Sequence, residues 1–263
     1  KNNISVYNGS DSALKNIFDS YVSNNTRVLW KNPDYEQVKP FILTNNGKLI
    51  EFIGNFSDIS SFIDKWGIDI VYLSNPNNPT GKLYNNLEFL IERHQNTLFV
   101  IDEAYYEFSG ESSVSLIKEY KNLIITRTFS KAFQIAGIRL GYIISNSENI
   151  NYIQRIKNIK EVNSISLLAG NYLMDNIHQM HSYVNNVFKN KMILKEYLNS
   201  WCLEYFTSYT NFFLINFRKE EYKQHIIKEF EKNKILVRDR SHLYGLSNYV
   251  RITLGDDNTT IKI

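Results

Sequence analysis

Lys131 stands in Thr128-Phe129-Ser130-Lys131-Ala132-Phe133, with Asp102-Glu103-Ala104-Tyr105 upstream and Asn75-Pro76-Asn77-Asn78-Pro79-Thr80-Gly81 before that. A lysine amine can attack a carbonyl and then carry a proton. A carboxylate such as Asp102, following the apolar run Leu98 to Ile101, can keep a ring nitrogen protonated by stabilising its cation. Asn78 and Tyr105 offer two donors for a ring oxygen. Thr128 and Ser130 offer hydroxyls, and Arg139 offers a planar fork that suits phosphate. Gly9-Ser10-Asp11-Ser12, ahead of the helical stretch Ala13 to Val22, adds a second anion site at a helix start. Tyr35, in Asn32-Pro33-Asp34-Tyr35, is placed to lie against an aromatic ligand.

Each of these features has an ordinary explanation when taken alone. An Asp after a strand is more often a turn or cap residue. Asn-Pro pairs closed by glycine are commonly architectural turns. A lysine opening a helix is usually a solvated charge. Their joint presence in one order favours a shared site.

The elements that would position them alternate regularly. Short β-branched or aromatic runs at Arg27 to Trp30, Ile68 to Leu73, Leu98 to Ile101, Leu123 to Thr126 and Arg139 to Ile144 are separated by stretches with helical spacing, which predicts an α/β fold. Asp102 then falls at the carboxyl end of a parallel strand, where such sheets bind ligands. A helix is expected to open near Lys131 and to offer free backbone amides. Beyond about Lys160, a long amphipathic segment running to about Tyr197 carries Leu167, Leu168, Tyr172, Val184, Val187, Met192 and Leu194. Strands are expected at Asn211 to Phe217, Ile235 to Arg238 and Tyr249 to Leu254, with a helix from Glu220 to Lys232. The expected division is 1–160 for a large domain and 161–263 for a linking helix and a smaller α+β domain.

Composition limits the alternatives. The chain has 263 residues, 43% of them hydrophobic, which is enough for a sizeable core. Its 30 Lys+Arg and 27 Asp+Glu are dispersed, so no basic stripe marks a nucleic-acid partner. No run approaches the roughly 20 apolar residues that span a bilayer, so no membrane role is expected. Cys202 is the single cysteine, which fits a reducing cytoplasm. His178 and His181 are spaced to share a helix face. No carboxylate–histidine pattern surrounds them, and no metal is expected.

The motif set Gly9-Ser10-Asp11, Asn77 to Gly81, Asp102 to Tyr105, Thr128 to Tyr142 and Val250-Arg251-Ile252-Thr253-Leu254-Gly255 resembles the fold type I, class I/II pyridoxal-phosphate aminotransferases, and within them the histidinol-phosphate aminotransferase group. The resemblance implies an α/β fold with a mostly parallel central sheet in the large domain, plus a smaller C-terminal α+β domain. It implies pyridoxal 5'-phosphate as cofactor and Lys131 as the Schiff-base lysine. Asp102 would pair with the ring nitrogen, Asn78 and Tyr105 with the ring oxygen, and Tyr35 with the ring face. Ser10, Asp11, Thr128, Ser130 and Arg139 would hold the phosphate. Arg251, assisted by Arg238, would grip the substrate's anionic group. The expected substrates are a small phosphorylated amine or amino acid and glutamate or 2-oxoglutarate, handled by a homodimer.

Two other readings remain at this stage. One is an amino-acid-phosphate decarboxylase of the threonine-phosphate kind, suggested by Gly245-Leu246 before the last arginine strand. The other is an aminotransferase-like domain of a regulator or fusion. Family members usually carry an arm before the Gly-Ser-Asp turn and a helix beyond Gly255, so shortening at both ends is expected. Position 12 is Ser where the group often has Glu.

Overall fold

The computed structural model describes residues 2–255. In its first part strands and helices alternate: β1 Ile4–Tyr7, α1 Ser10–Tyr21, β2 Arg27–Lys31, α2 Val38–Thr44, β3 Lys48–Phe52, α3 Ile59–Trp66, β4 Ile70–Ser74, α4 Leu87–Arg93, β5 Leu98–Asp102, the single-turn α5 Tyr106–Ser109, β6 Leu123–Thr128, β7 Gly141–Ser145 and α6 Ser147–Gln154. The seven strands form one sheet in the order β1-β7-β6-β5-β4-β2-β3. Strands β2 to β6 pair in parallel, whereas β7 runs antiparallel to both β6 and β1. A mostly parallel sheet is covered on both faces, so its strands are apolar on both. Val28, Trp30, Tyr72, Val100, Ile124 and Ile143 pack on one side, against Leu14, Ile17 and Phe18 of α1. Leu29, Val71, Leu73, Phe99, Ile101 and Ile125 pack on the other, against Ile59 and Ile63 of α3 and Leu90 and Ile91 of α4.

The second part comprises α7 Ser164–Asp175, α8 Ile177–Ser200, β8 Glu204–Tyr205, β9 Phe212–Asn216, α9 Glu220–Lys232, β10 Arg238–Asp239 and β11 Tyr249–Thr253. Its four strands form an antiparallel sheet in the order β10-β11-β9-β8. Val187, Leu194 and Leu198 of α8 cover Phe213, Ile215, Val250 and Ile252.

Several expectations need correcting. The long amphipathic segment is two helices, interrupted at Asn176. The Asn176 side-chain amide and backbone N–H both donate to the Tyr172 carbonyl, at 2.8 and 3.0 Å, so a short polar side chain competes for the helix's own acceptor. Val187 and Leu194 of that segment are buried, but Leu167, Leu168, Tyr172 and Met192 are exposed. The strand expected over Ile235 to Arg238 is confined to Arg238–Asp239. Lys234 turns the chain at φ 60°, and Leu236 faces solvent. Strands β1 and β3, at the two edges, were not expected. The expected ending of the chain concerns residues past 255, outside the described residues.

Candidate functional site

The sheet brings one side chain from each of three adjacent parallel strands to a common edge. Ser74 and Asp102, the last residues of β4 and β5, are register partners, and Thr128 ends β6. Gly141 opens β7 opposite both Thr128 and Tyr7. The antiparallel β7 thus begins where β6 ends, and the turn from β1 into α1 is delivered to the same edge. Ser10, Asp11, Tyr35, Asn78, Asp102, Tyr105, Thr128, Ser130, Lys131 and Arg139, with Ser74 and Ala104, line one cavity there. Ten residues singled out from the sequence therefore meet in one place.

Asp102 is buried at the cavity floor. Its Oδ2 accepts from the Tyr72 hydroxyl at 3.1 Å. Its Oδ1 accepts from the Thr126 hydroxyl at 3.0 Å and the Ala104 N–H at 3.2 Å. Burial pushes the carboxyl up to about 6 although these bonds pull it down. No ion pair to Asp102 occurs among the described residues, so a cation above it would lower its pKa and relieve the burial cost. Beneath it, Asp34 is also driven up by burial, to about 7, and holds Ser74 through the backbone N–H and the hydroxyl. Tyr72, Thr126 and Asp34 were missed from the sequence. All three lie in or beside ordinary apolar strands, where only spatial pairing reveals them.

Close backbone packing shapes the anion cradle. A Cβ on Gly141 would lie 2.5 Å from the Gly9 carbonyl carbon and the Ser10 nitrogen. Gly9 itself has φ +85°, and a Cβ there would meet Arg139 Nη2 at 2.7 Å. The two glycines therefore let β7, the start of α1 and Arg139 converge. The first N–H groups of α1 lack intrahelical partners and, with the helix dipole, favour an anion. Arg139 Nη2 pairs with Asp11 Oδ2 at 3.2 Å, and the Tyr35 hydroxyl donates to Asp11 Oδ1 at 2.8 Å. The Asp11 carboxylate is thus turned towards Arg139 and Tyr35, leaving its backbone N–H as the group suited to phosphate.

No helix opens at Lys131. Phe129 N–H donates to the Leu140 carbonyl, Ser130 N–H to the Thr128 hydroxyl, and the chain passes through left-handed Gln134 and Arg139. The helix start at the cradle is that of α1. Lys131 Nζ lies 5.5 Å from the Tyr105 ring centroid. Tyr105 is buried edge-on against Phe212 of β9, at 5.3 Å and 89°.

The second sheet touches the cavity through two of the cavity's lining residues, Asn78 and Tyr105. Arg251 of β11 donates from Nη1 to Asn78 Oδ1 at 2.7 Å and stacks over Phe212 at 4.8 Å. Asn77 accepts from the Thr80 N–H and hydroxyl, holding the loop that presents Asn78. Tyr209 N–H donates to the Gly81 carbonyl at 2.8 Å. Arg238 pairs across the sheet with Arg251 and is exposed, and neither arginine is part of the cavity lining itself. Arg240, not singled out from the sequence, is more enclosed, near Arg251 and Tyr105. His178 and His181 are exposed on α8.

This set fits pyridoxal phosphate in its chemistry. It supplies a buried carboxylate without a cation, donors at Asn78 and Tyr105, an amine at Lys131, and a helix start beside an arginine and two hydroxyls.

Comparison with known proteins agrees. The family model for aminotransferase class I and II matches residues 1–263. A dihydroxyacetone phosphate transaminase of Campylobacter jejuni is 37% identical over 270 residues, covering 97% of this chain and 71% of its own. Histidinol-phosphate aminotransferase 1 of Carboxydothermus hydrogenoformans is 33% identical over 260 residues, covering 96% and 73%. The fold also matches the crystal structure of histidinol-phosphate aminotransferase from Sinorhizobium meliloti in complex with pyridoxal-5'-phosphate, with a TM-score of 0.89, 22% identity and coverage of 99% and 74%.

Proposed function

The chain belongs to the class I and II aminotransferases, which depend on pyridoxal phosphate, and from that premise we propose that it exchanges an amino group between a small phosphorylated substrate and glutamate or 2-oxoglutarate. The observation that carries the substrate class is Arg251. It is a largely buried guanidinium beside the cavity, with one donor on the lining residue Asn78 and a buried Nε that has no hydrogen-bond partner among the described residues. A cation held there with a spare donor suits an anionic substrate group. The two curated relatives named above support the phosphate, since dihydroxyacetone phosphate and histidinol phosphate both carry one. They are both transaminases, so the decarboxylase reading is the weaker.

When bound, the cofactor supplies an electron sink for the pair left behind as a substrate Cα proton departs. In this proposal Lys131 anchors the cofactor through Nζ, and the same amine, once free, takes the Cα proton and returns it on the other side of the transferred nitrogen. Asp102 holds the proton of the ring nitrogen, oriented by Tyr72 and Thr126. Asn78 and Tyr105 donate to the ring oxygen, and Tyr35 lies against the ring. Ser10, the Asp11 N–H, Thr128, Ser130 and Arg139 hold the cofactor's phosphate. Arg251 fixes the substrate so that its Cα–H faces Lys131, and Arg238 adds positive charge from outside.

The same reading takes 1–160 as the cofactor-binding domain and 161–263 as the linking helix and smaller domain, a division favoured by two separate sheets with their own cores. It also takes the enzyme as a cytoplasmic homodimer in amino-acid or related phospho-amine biosynthesis. Among the described residues no helix is long and apolar enough to cross a membrane.

The test is to incubate the cofactor-loaded protein with glutamate and dihydroxyacetone phosphate and follow 2-oxoglutarate. Stoichiometric 2-oxoglutarate and a phosphorylated amine are expected. Turnover confined to unphosphorylated keto acids would overturn the substrate class.

A further inference from the structure

Helix α1 begins without a side-chain cap of its own. Its N-cap is Gly9, which has no side chain to accept from the first turn, and the residue three places on, where a capping box carries Glu or Gln, is Ser12. A carboxylate reaches the turn from elsewhere. Glu161 Oε1 accepts from the Asn8 N–H at 3.3 Å and from the Ser12 hydroxyl, so one oxygen spans the residues on either side of Gly9-Ser10-Asp11. The Gly9 N–H is taken by the Tyr7 carbonyl at 2.8 Å. With those two donors occupied, the N–H groups of Ser10, Asp11 and Ser12, which have no acceptor within the helix, are left for an anion. Ser10 and Asp11 line the cavity, whereas Ser12 and Glu161 do not, so the bracing carboxylate acts on the turn from outside the cavity.

Glu161 belongs to the segment joining α6 to α7, and that segment is held to both halves of the anion cradle. Lys157 Nζ donates to Ser5 Oγ at 3.2 Å and lies 4.6 Å from the Tyr7 ring centroid, on β1 just ahead of the turn. At the other end, Asn163 Oδ1 accepts from the Ser166 N–H at 2.9 Å, and the Ser166 hydroxyl donates to the Ile138 carbonyl at 2.6 Å, one residue before Arg139. A Cβ on Gly170 would stand 2.4 Å from Leu140 Cδ2, so α7 lies close against the residue after Arg139. The 157–166 stretch therefore runs from β1, past the start of α1, to the turn that carries Arg139.

We propose that Glu161 is a positioning residue for the cofactor's phosphate. It supplies in trans, from the connection between α6 and α7, the carboxylate that position 12 lacks, and it fixes the α1 turn opposite Arg139. This rests on the assignment of the cradle to the cofactor's phosphate and is independent of which substrate donates the amino group.

The test is titration of the cofactor-free protein with pyridoxal 5'-phosphate and, separately, with pyridoxal, which meets Lys131 and Asp102 but brings no phosphate. Glu161→Ala is expected to weaken pyridoxal phosphate about threefold to tenfold, the range of a lost helix-start cap, and to leave pyridoxal within about twofold. Ser12→Glu alone puts a second carboxylate beside Glu161 and should also weaken pyridoxal phosphate. Combined, the two substitutions leave one carboxylate at the turn, now from within the helix, and affinity should return to within about twofold of wild type, as coupled neighbours do. Two harmful changes that cancel are the signature of a relocated carboxylate, which a general loss of packing would not give. If Glu161→Ala binds pyridoxal phosphate as wild type does, loses pyridoxal in proportion, or gains nothing from Ser12→Glu, the role of Glu161 is overturned while the cradle stands. Should Glu161→Ala not fold, Ser12→Glu in the wild-type chain decides, and an unchanged affinity for pyridoxal phosphate overturns the role. If wild type holds pyridoxal as tightly as pyridoxal phosphate, the cradle serves no phosphate and the role of Glu161 falls with it.

Discussion

Asp102 shows how this site uses burial. In water a carboxylate needs no partner, but at the cavity floor its charge is costly, and burial raises it to about 6 against the pull of Tyr72, Thr126 and Ala104. A ring cation directly above would convert that cost into binding. Asp102→Asn keeps the shape and removes the anion, so it is expected to lower turnover by about 100-fold or more while the protein still folds and loads cofactor. Steady-state rates alongside the cofactor's absorption spectrum check this, and near-normal turnover would contradict the role. Asp102 and Lys131 were legible in the sequence because each ends or follows an apolar strand in a recognisable motif. Tyr72 and Thr126 were not. A Tyr in Ile-Val-Tyr-Leu and a Thr in Leu-Ile-Ile-Thr read as strand residues, and only the parallel pairing of β4, β5 and β6 aims them at Asp102.

At the scale of elements, the site depends on how closely backbones approach. Gly141→Ala would drive a Cβ into the Gly9 carbonyl carbon and the Ser10 nitrogen. The expected result is a loss of about 1–3 kcal/mol of stability together with weaker cofactor affinity, because the start of α1 must move. Thermal melts and cofactor titration of the variant measure both, and a normal affinity would show that α1 does not serve the cradle. Lys191 of α8 makes a second such tie. Its ammonium donates to the Ser208 and Thr210 carbonyls at 2.6 and 2.7 Å, and the neighbouring Tyr209 N–H reaches the Gly81 carbonyl on the loop of Asn78. Lys191→Met strands two acceptors and is expected to cost about 1–3 kcal/mol, and to raise KM by loosening Asn78 and Arg251. Unchanged melting and KM would mean that the tie is not needed.

The order of strands and helices was readable because hydrophobic runs alternate at two clear periods. The break at Asn176 and the turn structure around Lys131 were less so. Each depends on one or two residues whose side-chain bonds or left-handed backbone override an otherwise helical pattern.

For the molecule as a whole, the buried carboxyls set the pH dependence. Asp34 and Glu107 are raised to about 7 and Asp102 to about 6, in each case chiefly by burial. The folded state therefore holds these protons more tightly than the unfolded chain, and the contribution of these three groups to stability is full below the ordinary carboxyl range and is lost as pH rises through about 4 to 7. The cofactor-free protein is expected to melt at progressively lower temperature across that window. The loaded protein should lose less, because Asp102 then faces a cation. Equal slopes with and without cofactor would argue against the Asp102 pairing. Cofactor chemistry was legible from the motifs of the first part of the chain. The anion site beside the cavity was less so, because the resemblance points to Arg238 and Arg251 alike, and only the structure shows that Arg238 is exposed while Arg251 bonds Asn78.

The central claim is that Lys131 carries the cofactor, and one measurement reaches it directly: reduction of the loaded protein with borohydride, followed by peptide mapping. The account predicts a single pyridoxyl label on Lys131, lost in Lys131→Ala. A label on another lysine, or none on a protein that has bound the cofactor, would contradict it.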